Sequence, residues 1–307
     1  MESKMEEIVR MQRIVRDRHW SDRLKTALLY LMLSGFALAC LVPLLLVVAS
    51  SLTSERSLAE GGYRLWPAEI SLSAYAYIFR NAEQLLTSYG VTVLITVAGT
   101  LLSLLVCSLL AYPMSRRDFR FRNGLSFYVF FTMLFNGGLI PNYILVTQVL
   151  HLKDSIWALI LTHVVNGFFV LLLRTFFATI PDALIESAKL EGAGEFRIFF
   201  RIAAPLSKPA LATVGLFFSL IYWNDWFQAL LYIDNRSLLP LQYLLMMMMN
   251  SIDAIASDPN LSAYSEQVPT ETVRMAMAVL AVGPMAAVYL YFQKFFVRGI
   301  TVGAIKS

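Results

Sequence analysis

Long uncharged stretches alternate with short charged ones along the whole chain. Lys, Arg, Asp and Glu are absent from residues 26–54, 84–115, 123–152, 155–173, 209–224 and 275–293. A helix crossing a bilayer needs about 20 mostly apolar residues, and five of these stretches meet that length. The fifth in order, 209–224, is shorter, but the chain stays apolar beyond Asp225 to Ile233, so it spans if that acid is tolerated. The pattern predicts an all-α membrane protein with six transmembrane helices in a domain covering 27–297. Helix 4 is expected over about 156–176, helix 5 over 209–233 and helix 6 over 274–296.

Lys and Arg orient the bundle. With both ends and the even-numbered connections inside, the cytoplasmic side holds nineteen basic residues against six outside. Acidic residues divide almost evenly, as expected of a rule that counts Lys and Arg rather than net charge. Both termini are therefore predicted to be cytoplasmic, as a tail over 1–26 and another over 298–307. The outer connections are loops 52–83 and 234–273, and the main cytoplasmic one lies at 179–208. The first 25 residues are too charged, and the apolar run behind them too long, for a cleaved signal peptide. Met5, Ile8, Met11 and Val15 fall at helical spacing, which suits either an interfacial helix or a plain positive tail.

Composition agrees with a membrane location. Among 307 residues 58% are hydrophobic and 15% charged, against roughly 25% charged in a soluble domain, and mean hydropathy is +0.62. The pI near 9.0 follows from the basic cytoplasmic side, so no nucleic-acid partner is expected. Cys40 and Cys107 lie in apolar helices and read as buried thiols, not as a disulfide or metal pair. There is no G-x-x-x-x-G-K-[ST] phosphate loop, so any nucleotide is bound by another chain. No HExxH, paired His or Ser/His constellation points to catalysis, and no catalytic or metal-binding residue is assigned.

Several polar positions interrupt the apolar helices. Asn136-Gly137-Gly138-Leu139-Ile140-Pro141-Asn142 breaks helix 3, either beside a translocation path or as a turn near its outer end. His163 is expected to hydrogen-bond a neighbouring helix. Asp225, costly inside a membrane helix, should face the bundle interior. With Trp223, Asn224, Trp226 and Gln228 it offers flat rings and hydrogen-bonding groups suited to a sugar; alternatively, the Trp-Asn pair anchors helix packing. Ser88, Gly90, Gly99, Ser103 and Ser108 in helix 2 would let helices approach closely. The loop 234–273 is long for an idle connection, and its Asp258-Pro259 turn and Ser262–Gln267 stretch suit contact with an external protein.

Residues 174–209 carry the most specific pattern. Thr179, Pro181 and Asp182 start a short helix through Glu186-Ser187-Ala188-Lys189-Leu190. Gly192 and Gly194 break it, and Glu195–Ala203 forms a second helix before Pro205. Two short helices with a Gly corner make either a projecting docking knob or a plain elbow. The segment resembles the "EAA" coupling loop of permease subunits of binding-protein-dependent ABC importers: Glu186, Ala188, Gly192, Ala193, Phe199, Ile202 and Pro205 match. Ser187 replaces the usual Ala, and Glu191 stands where Asp often precedes the Gly. Trp223-Asn224 and the ending Phe292–Lys306 resemble the carbohydrate branch of that family.

The resemblance implies a type I ABC importer permease fold in a bacterial inner membrane. It implies two ATP-binding subunits, a second homologous permease and an extracytoplasmic solute-binding protein as partners, besides membrane lipid. ATP and Mg would be held by the partner subunits, with no cofactor on this chain. Glu186, Ser187, Ala188, Glu191, Gly192, Ala193, Phe199 and Pro205 would couple to the ATPase. Asn136, Asn142, Trp223, Asn224, Asp225, Trp226 and Gln228 would line the path of an oligosaccharide, acidic alginate- or pectin-derived chains among the candidates. A peptide or polyamine is the alternative solute.

Overall fold

The computed structural model describes the backbone of residues 2–257 and 270–304, and side chains at Arg23 and within 25–80, 82–254 and 270–290. Asp258-Pro259, Ser262–Gln267, the side chains of Met5 to Val15 and the matched ending from Phe292 lie outside the described side chains. The described chain is mostly helix, with an isolated bridge between Thr53 and Ile70. In order the helices are α1 (Glu2–Ser51), α2 (Glu55–Gly61), α3 (Ser73–Ile78), α4 (Ala82–Ser115) and α5 (Arg122–Leu134). Next come α6 (Leu139–Val149), α7 (Ile156–Leu161), α8 (Gly167–Phe177), α9 (Asp182–Leu190) and α10 (Glu195–Leu206). The series ends with α11 (Lys208–Trp223), α12 (Phe227–Tyr232), α13 (Leu241–Ser257) and α14 (Thr270–Ala304).

Three described helices are long and apolar enough to cross a membrane: Lys25–Ser51, Ala82–Ser115 and Thr270–Leu290. The count rises to as many as six when helix pairs bent at a short break are joined. The expected break in helix 3 is present, with α5 and α6 meeting at 111°. Gly138 turns the chain there at φ +91°, a conformation that favours glycine, and Asn136 Oδ1 accepts its N–H at 3.0 Å.

Helices 4 and 5, expected to be continuous, are each interrupted. Helix 4 is α7 and α8 separated by Thr162–Asn166, and helix 5 is α11 and α12 separated by Asn224–Trp226. Asn166 takes the N-cap of α8, accepting from Phe169 N–H at 3.3 Å. Asp225 Oδ1 accepts from Gln228 N–H at 3.1 Å at the start of α12. Short polar side chains thus satisfy the backbone groups that each break frees. The first half of loop 234–273 holds α13. Its apolar Leu241, Leu245 and Ile252 recur at helical spacing and are buried. Cys107 is buried as expected, but Cys40 is exposed on α1, whose most apolar stretch is uncovered among the described residues.

Two compact units make up the chain. The first combines residues up to Tyr75 with Glu271–Val279. Here the Glu55 carboxylate caps the start of α14, accepting from Glu271 N–H, Thr272 N–H and the Thr272 hydroxyl at 2.9, 2.9 and 2.7 Å. A carboxylate is well placed at a helix N-terminus, where free N–H groups and the helix dipole both favour it.

The second unit, from Ala76 to Thr270 with the chain after Val279, is organised around α4. The buried small residues Ser88, Gly99, Ser103 and Ser108 form the face that receives neighbouring helices. At Gly99 the Tyr222 ring of α11 lies so close that a Cβ would sit 2.6 Å from it. Beside it, the Tyr222 hydroxyl donates to Ile160 O at 2.9 Å and takes the Ser103 hydroxyl at 2.8 Å. One buried tyrosine therefore ties α4, α7 and α11 together. Gly90, by contrast, is exposed and touches nothing within 4 Å of its missing Cβ.

Candidate functional site

Residues 179–208 form two short helices, α9 and α10, bent by 77° from α8 and 83° from α11 respectively. Pro181 stands at the N-cap of α9, and Gly192 ends that helix at φ +79°. Ala193 N–H returns to Ala188 O at 2.9 Å, and Gly192 N–H to Lys189 O at 3.0 Å. This pair of bonds is the Schellman termination, which needs a left-handed residue at the position of Gly192. The Gly-Ala pair of the sequence pattern is thus the stop signal that turns α9 into α10.

The matched residues divide by direction. Ala188 and Phe199 are buried, 8% and 3% exposed. Phe199 packs among Tyr112 and Phe177, with ring centroids 5.4 and 6.1 Å away. Ala193 and Ile202 are half-buried, whereas Glu186, Ser187, Glu191, Gly192 and Pro205 are exposed. Glu186 has no hydrogen bond or ion pair among the described residues. Leu190 and Phe196 beside them are 90% and 73% exposed.

An ionic cluster that the sequence pattern did not identify clamps this segment to the end of α4. Arg116 Nη1 donates to Asp182 Oδ1 at 3.2 Å. Its Nε lies 3.3 Å from Asp118 Oδ1, an ionic contact at an angle that makes no hydrogen bond. Lys189 reaches Asp118 at 2.7 Å and Glu195 at 2.8 Å. The Tyr112 hydroxyl donates to Glu195 Oε2 at 3.2 Å. Hydrogen bonding from Lys189 pulls the Asp118 pKa below its ordinary value, and the bonds to Asp118 and then Glu195 raise that of Lys189.

The other candidate residues lie around the helix breaks. Asn136, Asn142 and Gln228 come together in the wall of a cavity of about 490 Å³. Thr162, Phe227 and Tyr232 join them, and no Lys, Arg, Asp or Glu lines it. Asp225 stands behind this wall: besides holding Gln228 N–H, its Oδ2 is 3.1 Å from His163 Nε2. The neighbour that the histidine required is the interrupted helix 5. Trp223 is elsewhere, 4% exposed, donating its indole N–H to Ala281 O at 2.8 Å. The Asn224 amide folds back to Leu220 O at 2.9 Å, and Trp226, 40% exposed, stands edge-on to Phe227. Neither tryptophan lines the cavity. The signal for Thr162 was available as a polar run, Thr162-His163 then Asn166-Gly167, inside an apolar helix. Arg116, Asp118 and Glu195 had no such local signal, because the contacts that clamp the segment to α4, Arg116 to Asp182 and Lys189 to Asp118, are 66 and 71 positions apart in sequence.

Comparison with known proteins supplies the family. The profile described as binding-protein-dependent transport system inner membrane component matches residues 105–302. The chain belongs to this family. It is 40% identical to the polygalacturonan/rhamnogalacturonan transport system permease protein YtcP of Bacillus subtilis (strain 168) over 93% of this chain and 99% of the relative. Protein LplC of the same organism is also 40% identical, over 90% of this chain and 93% of its own length. Among solved structures, a chain of a bacterial ABC transporter involved in the import of the acidic polysaccharide alginate superposes with a TM-score of 0.78. That chain is 30% identical, with 90% of this chain and 98% of the other covered. The protein is thus an inner-membrane permease of the type I ABC importer fold, and ATP hydrolysis belongs to partner ATP-binding subunits. A solute-binding protein is the other partner implied by the family.

Proposed function

We propose that this permease moves an acidic oligosaccharide from its solute-binding protein into the cytoplasm, paired with a second, homologous permease. The observation that carries the reading is the neutral cavity where three interrupted helices meet. Irregular backbone at membrane depth is tolerated where it lines a cavity or is buried in protein. Asn136, Asn142, Gln228 and Thr162 offer donors and acceptors for hydroxyl groups, and Phe227 and Tyr232 offer flat apolar faces. Its volume falls in the range of small-molecule sites. A polyamine would call for carboxylates in such a wall, and none lines it. The acidic character of the cargo is drawn from the relatives, named for polygalacturonan, rhamnogalacturonan and alginate.

In this reading six helices span the membrane: the apolar part of α1, α4, α5 with α6, α7 with α8, α11 with α12, and α14. Both termini are cytoplasmic, in keeping with nineteen basic residues on that side against six. The exposed Glu186, Ser187, Glu191 and Gly192 form the surface that meets the ATP-binding subunit, while Ala188 and Phe199 hold it from beneath. The test is ATP hydrolysis by the reconstituted complex with binding protein loaded in turn with oligogalacturonate, alginate oligomers, a neutral oligosaccharide, a peptide and a polyamine. Stimulation by an acidic oligosaccharide is expected; stimulation only by the peptide or by a polyamine would overturn the assignment.

A further inference from the structure

A second, larger concavity lies in the same unit as the cavity but differs from it in chemistry. It has a volume of about 930 Å³ and runs between the start of α4, the turn after α12 and the flank of α13. Arg80 and Arg236 both line it, with Glu83 its one acidic lining residue. Among the described residues neither guanidinium pairs with a carboxylate; that of Arg80 lies 5.2 Å from the centroid of the Tyr77 ring. The backbone bearing Arg236 is held firmly. Gln84 Nε2 donates to Arg236 O at 2.8 Å, and Asp154 Oδ1 accepts from Asp234 N–H and Asn235 N–H at 2.6 and 2.9 Å. Asn235 Oδ1 in turn takes Ser237 N–H at 3.0 Å, closing the short turn that starts at Arg236.

Two arginines in one polar groove, one beside an aromatic ring and the other on a braced turn, form a ready carboxylate receptor. Guanidinium groups bind carboxylates through paired hydrogen bonds, and a braced backbone at Arg236 leaves less freedom to lose on binding. Met247 and Met248 supply an adaptable apolar wall. The neutral cavity contains no cation in its lining, so any reading of an acidic sugar's charge by this chain falls elsewhere. We infer that this groove binds uronate oligosaccharides, with Arg80 and Arg236 taking carboxylates of the chain. The inference rests on the acidic-oligosaccharide reading above and adds a second binding site to it.

The experiment is direct binding of trigalacturonate, and of its fully methyl-esterified form, to the assembled complex in phosphatidylcholine nanodiscs. Wild type is compared with an Arg80→Gln, Arg236→Gln double variant and with an Arg80→Lys, Arg236→Lys variant. Both arginine side chains are exposed, so assembly should survive. Losing two charge-assisted pairs should weaken trigalacturonate binding by roughly tenfold or more, with partial recovery in the Lys variant and no change for the ester. Unchanged affinity in the Gln variant, equal weakening for ester and acid, or no trigalacturonate binding to the wild type would each overturn the groove. So would trigalacturonate binding that disappears when phosphatidylglycerol replaces phosphatidylcholine in the nanodiscs. Stimulated ATP hydrolysis is read separately: a complex that binds trigalacturonate here yet is stimulated only by peptide refutes the transport reading and leaves the groove standing.

Discussion

Substitutions at Gly192 separate two effects that one bulky replacement would merge. The residue sits at φ +79°, and a Cβ built there meets nothing within 4 Å. Within the chain, therefore, the cost of any side chain is backbone strain alone, about 1–2 kcal/mol for an ordinary L-residue in the left-handed region. Asn tolerates that region better than most. Gly192→Asn should cost a few tenths of a kcal/mol and Gly192→Ala about 1 kcal/mol, a factor of roughly five in the termination of α9. Gly192→Leu has the same Cβ and the same strain, but it projects three further carbons from an exposed corner. If that corner lies under an ATP-binding subunit, Leu must cost far more than Ala in assembly. The assay is titration of the purified permease pair with the ATP-binding subunit, alongside thermal stability of the permease alone. Ala and Leu should match in stability while Leu binds at least tenfold more weakly. Equal affinity of the Ala and Leu variants would remove Gly192 from the docking surface.

Gly99→Ala should be the more damaging glycine change for the fold, since its Cβ would lie 2.6 Å from the buried Tyr222 ring. A loss of about 1–3 kcal/mol is expected, read as a lower unfolding temperature, whereas Gly90→Ala, in open space inside α4, should be neutral or stabilise by up to about 1 kcal/mol. Asp225→Leu strips the cap from Gln228 N–H and the partner from His163, a cost of about 1–3 kcal/mol. Uptake should fall with the complex still assembled, and unchanged uptake would leave Asp225 outside the mechanism. At the ionic cluster the folded pKa of Asp118 is lowered and that of Lys189 raised. The Asp118 contribution is lost only as pH falls through its folded value, and that of Lys189 only as pH rises through its own. Lys189→Ala should therefore lower stability by a constant amount between about pH 5 and 9, under about 1 kcal/mol for so exposed a set. A difference that varies across that window would contradict the assignment.

The readable parts of this sequence were those governed by local rules. Apolar length marked where helices could span, and Gly138 and Gly192 marked real turns because their φ values call for glycine. The division between α9 and α10 followed from Pro181 and Gly192. The interruptions of helices 4 and 5 were less legible because hydropathy averages over a break of three to five residues. Thr162-His163 and Asn224-Asp225 sit in otherwise apolar surroundings, and their polarity reads equally well as a satisfied contact in an unbroken helix. Trp223 gave the opposite difficulty: a tryptophan beside Asn and Asp looks like a sugar platform, yet its indole N–H is spent on Ala281 O. Lys189 looked like one residue of a docking helix, and only the fold brings Asp118, 71 positions away, within 2.7 Å.

The two helix breaks acquire meaning from what lies at the other end of their helices. The α9–α10 segment is carried by α8 on one side and α11 on the other, helices of 11 and 16 residues, or about 17 and 24 Å of continuous rod. Each rod ends at a break, and the breaks are joined to one another where His163 meets Asp225 at 3.1 Å. The same carboxylate holds the first turn of α12, which places Gln228, Phe227 and Tyr232 in the cavity wall. A shift of α9 and α10 that left the cavity untouched would have to be absorbed at the 77° and 83° bends that join them to α8 and α11, or inside those two helices. Both pack into the same buried core through Val170, Leu173, Val214 and Phe218, none of which has any exposed surface. Deforming such a core costs more than turning at a break, where the backbone is already free of the helical ladder. If α9 and α10 are the docking segment, a displacement that passes those two bends is carried along two stiff arms to the hydrogen bond behind Gln228, because neither arm yields in its middle.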